Sequence, residues 1–284
     1  MGLGAHVSTA GGLSTCVPRA VAMGCECMQI FLSAPQRWQA PKHSDEQVFE
    51  FQRQITEAGI APTFAHTAYL VNLAAPDPGI RERTIENLKS TAAWADRIGL
   101  AGIVVHIGSA RGQPVEDAET QVASALEEVL KQGTQSLILL ENSAGSGEYL
   151  GSRFDQIGQL VDRMGGDKRI GLCLDTAHTF ASGYDLRVDE GIQRTIDEVD
   201  QFIGLERLKL IHANDSKVGL NTFVDRHENI GKGQLGEDAF VRMLSHPALR
   251  SVAWVLEVPG YEDKGPDKPN LDELKRLALA ADQR

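Results

Sequence analysis

Eight times along this chain a short apolar run of strand-like composition gives way to a longer segment of helical periodicity. The runs span Gly2–Val7, Cys27–Phe31, Pro62–Ala65, Gly102–Val105, Ser136–Leu140, Ile170–Leu174, Leu208–Ile211 and Ser251–Leu256. A repeated strand–helix alternation closes most simply into a parallel sheet with its helices outside. Between the runs, Val115, Ala118, Val122, Leu126, Val129 and Leu130 make one apolar helix stripe, and Ile192, Ile196, Val199 and Ile203 make another. Ser44 and Gln47 have the spacing of a capping box opening a helix that runs to Ala58, while Gly59 and Gly99 stand where helices should stop. No linker, low-complexity tract or composition shift divides the 284 residues. The expectation is one domain, residues 1–284, folded as a parallel (β/α)8 TIM barrel, an architecture that commonly takes about 250 residues.

The residues at the ends of the runs are more informative than the runs. His66 comes directly after the third, His106 after the fourth, Glu141 after the fifth, Asp175 after the sixth, His212 after the seventh and Glu257 after the eighth. In a parallel barrel these ends share one face, where barrel active sites are built. A histidine or carboxylate at one strand end is ordinarily a satisfied polar group or a helix cap; six in succession are hard to obtain from packing alone. Three more candidates lie on loops of the same face: His178, three residues after Asp175, and the pair Asp225 and His227, whose alternate spacing puts both side chains on one side of an extended segment.

Five imidazoles and four carboxylates exceed the roughly three protein ligands of a single catalytic zinc. They suit a cluster of two or three ions with bridging carboxylates. The imidazole-rich mixture favours zinc, with manganese or iron compatible, over magnesium or calcium. Three divalent ions would outweigh the four carboxylates and leave the pocket floor positive. Such a centre binds a phosphodiester, lowers the pKa of a bound water towards about 7, and stabilises the entering and leaving oxygens of an in-line displacement. Hydrolysis of a phosphate ester is the chemistry these residues suit best.

Bulk properties set limits. The net charge of −11 runs against a nucleic-acid ligand, although the local field at a metal cluster can oppose the sum over the whole surface. No apolar run has membrane-spanning length, and the start Met1-Gly2-Leu3-Gly4-Ala5-His6 lacks a secretory pattern, so a cytoplasmic protein with no membrane partner is expected. Cys16, Cys25, Cys27 and Cys173 contain no C-x-x-C pair and should be reduced and mostly buried. Asn214-Asp215-Ser216 matches a glycosylation sequon, which without a secretory route reads as chance.

Several segments together resemble the endonuclease IV family of apurinic/apyrimidinic (AP) endonucleases. They are Phe64 to Leu73, Leu140-Glu141-Asn142-Ser143-Ala144-Gly145, Leu174-Asp175-Thr176-Ala177-His178, Ile211 to Ser216 and Val224-Asp225-Arg226-His227, with a similar opening at Gly4-Ala5-His6-Val7-Ser8. The resemblance implies a barrel with a trinuclear zinc site, with manganese as a substitute, that incises duplex DNA 5′ to an abasic site. The products would be a 3′-hydroxyl and a 5′-deoxyribose phosphate, and blocked 3′ ends would also be trimmed. It implies that His66 and His106 hold one zinc with Glu141, which bridges to a second completed by Asp175, His212 and Glu257, while His178, Asp225 and His227 hold the third. Glu141, Asp175 and Glu257 would then be the central catalytic carboxylates. Family precedent points to a monomer.

Damage recognition departs from the pattern. The family usually has Asn, Arg and Trp in the loop after the second strand; here Ala34-Pro35-Gln36-Arg37-Trp38 has no Asn, and Arg37 falls one place late. Tyr69 and Leu70 match the family's wedge, which could fill the gap left by a missing base, but Leu70, Val71 and Leu73 could equally begin a core helix. Ile107 replaces a usual proline. Phosphate contacts are expected from a minority of Lys42, Arg111, Arg153, Lys217, Arg226, Lys232 and Lys264, with Lys217 and Arg226 nearest the motifs. The competing readings are a metal-dependent sugar isomerase or epimerase on a similar barrel, for which the three loop ligands have no evident purpose, and a non-catalytic damage-binding or zinc-storage protein.

Overall fold

A computed structural model describes residues Met1–Arg284. Its main strands are β1 (Leu3–His6), β2 (Cys27–Phe31), β3 (Thr63–His66), β4 (Gly102–His106), β5 (Leu137–Glu141), β6 (Ile170–Asp175), β7 (Leu208–His212) and, after a short hairpin, β10 (Ala253–Leu256). These eight are parallel and close in the order β1-β10-β7-β6-β5-β4-β3-β2, a (β/α)8 TIM barrel as the sequence predicts. The hairpin beyond β7 is antiparallel and consists of β8 (Asp215–Ser216) and β9 (His227–Glu228). The helices outside the barrel are α1 (Cys16–Met23), α2 (Asp45–Ala58), α3 (Pro78–Ile98), α4 (Val115–Lys131), α5 (Phe154–Arg163), α6 (Thr176–Ala181), α7 (Asp189–Phe202), α8 (Gly236–Ser245), α9 (Pro247–Arg250) and α10 (Lys268–Ala281). None is long and apolar enough to cross a membrane.

Local signals act as their chemistry requires. Ser44 Oγ accepts from the Gln47 amide and Gln47 Oε1 accepts from the Ser44 amide, closing the capping box of α2. Gly59 and Gly99 end α2 and α3 in the left-handed conformation. Ala118, Val122, Leu126, Val129 and Leu130 are buried, whereas Val115, the first residue of α4, stays exposed. All four cysteines are buried and free, and Asn214 of the sequon is wholly buried.

Alternation of side chains along the strands builds the site. Cys27, Phe64, Val104, Leu139, Cys173, Leu210 and Val255 pack together inside the barrel as an apolar layer. Two residues further on, the same seven strands present Gln29, His66, His106, Glu141, Asp175, His212 and Glu257. The eighth strand, β1, can sit in this layer only with glycine, because a Cβ on Gly4 would lie 1.8 Å from the Cys27 carbonyl oxygen. His6 stands two residues after Gly4, at the upper level. The hydrogen-bonded ladder runs one residue past the apolar run in five strands, so His66, His106, Glu141, Asp175 and His212 are last strand residues rather than first loop residues.

Candidate metal centre

The nine residues singled out from the sequence converge at the C-terminal mouth of the barrel, in three contiguous groups. In the first, His66 Nε2 and His106 Nε2 lie 3.2 and 3.0 Å from Glu141 Oε2. In the second, His212 Nδ1 lies 3.2 Å from the other Glu141 oxygen, 3.1 Å from Glu257 Oε2 and 3.8 Å from Asp175 Oδ2. In the third, Asp225 Oδ1 lies 3.2 Å from His178 Nε2 and 3.4 Å from His227 Nε2, with Asp175 Oδ2 3.6 Å from His227 Nε2. Glu141 thus joins the first group to the second, and Asp175 joins the second to the third.

The ring nitrogens turned outward from these groups fix the histidine tautomers. His66 Nδ1 donates to the Thr67 carbonyl at 2.8 Å, His178 Nδ1 to the Asn142 carbonyl at 2.9 Å, and His227 Nδ1 to the Glu257 carbonyl at 3.3 Å. His212 Nε2 meets the Gln29 side-chain oxygen at 3.0 Å. A carbonyl oxygen only accepts, so each of these rings carries its proton on the outer nitrogen. In the neutral ring the inner nitrogen is then a lone pair facing a carboxylate, a repulsive arrangement that a proton or a metal ion between them resolves. His178 Nε2 and His227 Nε2 are buried with no aligned hydrogen-bond partner. Donor type, tautomer and orphaned nitrogens all fit divalent metal ions. His106, at the rim, is the most open of the histidines in the three groups, with its side chain 36% exposed.

Without metal, charge pairing takes over. Burial lowers the pKa of His178, but Asp175, Asp225 and Glu141 more than reverse this and hold it well above the usual imidazole value. Burial raises the pKa of Glu141, and the His106 and His212 rings outweigh that and hold it well below the carboxylate range. Asp225 is likewise lowered to about 2, the neighbouring histidines overcoming desolvation.

A frame of carboxamides holds the ligands. Asp175 Oδ1 caps α6 by accepting from the His178 amide at 2.8 Å, Asp175 Oδ2 accepts from Asn214 Nδ2 at 2.6 Å, and the Asp175 amide donates to Asn142 Oδ1 at 2.7 Å. The hairpin bearing Asp225 and His227 hangs on Asp215, whose carboxylate accepts from the amides of Ser216, Gly233, Leu235 and Gly236. Sequence reasoning passed over Gln29, Asn142 and Asn214. The available signal was polarity out of place, most plainly Gln29 in the middle of the apolar run Cys27–Phe31.

The outer loops divide the remaining candidates. Tyr69 and Leu70 are exposed while Val71 and Leu73 are buried, and no helix begins between β3 and Pro78. The Tyr69 ring packs edge-on against Phe31 at 5.2 Å, and its amide donates to the Pro35 carbonyl at 2.9 Å, so the loops after β2 and β3 are tied together. Arg37 is exposed and makes no ion pair; it closes a turn through its amide to the Ala34 carbonyl. Arg226, Lys264 and Tyr69 line the cleft above the metal groups, whereas Arg37, Leu70 and Lys217 stand outside its lining. Arg153 is paired with Asp155 and Lys264 with Glu262.

Residues 17–279 match the family model described as xylose isomerase-like TIM barrel. The chain is 36% identical to the probable endonuclease 4 of Halothermothrix orenii over 97% of its own length and all of the relative's. It is 39% identical to that of Natronomonas pharaonis over 92% and 93% of the two chains. Among solved structures, endonuclease IV from Thermus thermophilus superposes with a TM-score of 0.85 at 31% identity, covering 100% of this chain and 99% of that one. A D-tagatose 3-epimerase-like protein, at 17% identity and a TM-score of 0.75, shares the fold alone. The chain therefore belongs to the endonuclease IV family, DNA-cleaving hydrolases built on this barrel.

Proposed function

We propose that this protein is a zinc-dependent AP endonuclease of base excision repair, acting as a single domain on duplex DNA. It hydrolyses the phosphodiester 5′ to an abasic site, leaves a 3′-hydroxyl and a 5′-deoxyribose phosphate, and trims blocked 3′ ends by the same chemistry. The observation that carries this reading is the continuity of the three ligand groups through Glu141 and Asp175. Two shared carboxylates would hold three cations side by side, which suits a phosphodiester whose attacking, spectator and leaving oxygens all need compensation.

The residues present would hold three ions: His66, His106 and Glu141 the first; Glu141, Asp175, His212 and Glu257 the second; His178, Asp225 and His227, with Asp175 alongside, the third. When bound, the ions supply Lewis acidity and a water acidified towards neutral pH. The chain itself contributes position. Glu141, Asp175 and Glu257 set the spacing of the cluster, Tyr69 and Leu70 project where an abasic gap could be filled, and Arg226 and Lys264 offer charge to flanking phosphates. The cleft encloses about 1380 Å³, above the roughly 300–1,000 Å³ of small-molecule pockets, which favours a polymer over a ketose.

The test is incision of a duplex carrying one tetrahydrofuran abasic analogue, with and without prolonged chelation. The analogue cannot undergo β-elimination, so a cut leaving a 3′-hydroxyl is hydrolytic. Cleavage lost on chelation and restored by zinc is expected. A protein that contains three ions per chain yet turns over an aldose or ketose and leaves DNA intact would overturn the proposal.

A further inference from the structure

In the upper interior layer one position carries neither an ionisable side chain nor a hydrocarbon. Gln29, in the middle of β2, is wholly buried among the metal groups. Its Nε2 donates to Glu257 Oε1 at 2.6 Å and lies 3.0 Å from His6 Nδ1, and its Oε1 accepts from His212 Nε2 at 3.0 Å. The amide can sit only this way round, because the reverse would press its oxygen against a carboxylate at 2.6 Å. The carboxamide therefore links two ligands supplied by two different strands, β7 and β10.

We propose that Gln29 is a positioning residue for the second metal position. Accepting from Nε2–H, it fixes the His212 tautomer so that Nδ1 keeps its lone pair towards Glu141 and Glu257; donating to Glu257, it holds that carboxylate turned to the same point. Its nitrogen also lies 3.0 Å from His6 Nδ1, which itself donates to Glu257 Oε1 at 3.0 Å because a carboxylate only accepts, and the His6 ring, packed on Phe31 at 4.3 Å, buttresses the amide from the side. Leaving a buried amide with one end unpaired is costly, so the three partners hold one another in register. The inference rests on the metal-centre reading above and adds the element that sets the second position before an ion arrives.

The experiment compares wild type with Gln29→Met, close to Gln in shape but without the bonds. Zinc content is measured first by elemental analysis, and wild type retaining no zinc would remove the metal-centre reading itself. If wild type holds three ions, competition against a chromophoric zinc chelator is expected to show one of the three bound about 10–100-fold more weakly in Gln29→Met, the size typical of lost outer-sphere support. kcat on the abasic duplex should fall with KM unchanged. Affinities equal to wild type for all three ions, or a uniform loss across them, would overturn the assignment. Should Gln29→Met fail to fold, long-range proton–nitrogen correlation on zinc-loaded wild type decides: His212 bound through Nδ1 supports the role, and His212 bound through Nε2 refutes it.

Discussion

Glu141, Asp175 and His212 stand on strand ends within the barrel's ladder, Glu257 directly follows β10 with its amide donating to Asn214 Oδ1, and all four side chains are no more than 17% exposed. Asp225 and His227 instead ride on a hairpin of two-residue strands, and the Asp225 side chain is 55% exposed. The inner group is thus placed by the fold, so its geometry can change only if strands move. Two side chains of the outer group are placed by a loop hung on Asp215, and the third, His178, is buried on α6. One cluster of candidate ligands therefore combines positions fixed by strands with two positions fixed by a loop.

The largest effect should come from the joint between the halves of the inner cluster. Glu141→Gln removes the charge that two groups share, so metal content should fall by about two ions per chain. Incision should fall by about three orders of magnitude, since several kcal/mol of charge stabilisation disappear at about 1.4 kcal/mol per tenfold. Elemental analysis and the gel assay read both on one preparation. Full activity in that variant would sink the assignment of Glu141.

The next prediction separates the halves. Asp215→Ala strands four backbone amides at about 1–3 kcal/mol each if none finds water. Metal content should drop from three ions to two, with the barrel still folded by circular dichroism. The joint is crowded as well, since a Cβ on Gly233 would meet Asp215 Oδ1 at 2.5 Å and the Ser216 carbonyl at 2.4 Å. Loss of all three ions in Asp215→Ala would show that the outer group is no more separable than the inner one.

pH sharpens the same contrast. Without metal, burial pulls the His178 and His212 imidazoles down, yet their acidic neighbours outweigh it and hold both well above the ordinary 6.5. The stability those imidazolium contacts give is complete below about 6.5 and is lost as pH rises through the raised values. Zinc takes the same nitrogens and expels their protons, so its affinity rises across that window. The gain in melting temperature on adding zinc should therefore be smallest near about pH 6 and grow towards about pH 8 in calorimetry. A gain independent of pH would remove the imidazoles from the ligand set.

Legibility in the sequence divides along the same line. All eight barrel strands were legible, because a strand buried on both faces is written as an apolar run. Their ends were read one residue short in five cases, because backbone pairing continues through His66 or Asp175 where hydrophobicity stops. The inner ligands could be found because each comes directly after an apolar run. Gln29 and Asn214 were not legible as parts of the site, since a carboxamide declares a partner but not which one, and their partners come from strands distant in sequence. The hairpin was legible only as Asp-x-His; nothing local says that Asp215 holds it.

The recognition loops should give smaller effects that leave the metal intact. Tyr69→Ala should keep three ions while incision falls about tenfold, the low end of the roughly 1–3 kcal/mol an aromatic contributes by stacking on a base. Smaller still is Arg226→Ala, whose exposed guanidinium lines the cleft and makes no ion pair. It should weaken binding evenly across DNA sequences and reduce the slope of log affinity against log salt by about one. Measuring that slope in wild type, Arg226→Ala and Arg37→Ala shows which loop meets phosphate. A lowered slope for Arg226 alone would mean that the displaced arginine of the β2 loop lies off the DNA path. Its recognition role would then have passed to the Tyr69–Leu70 segment, to which the Pro35 carbonyl already ties it.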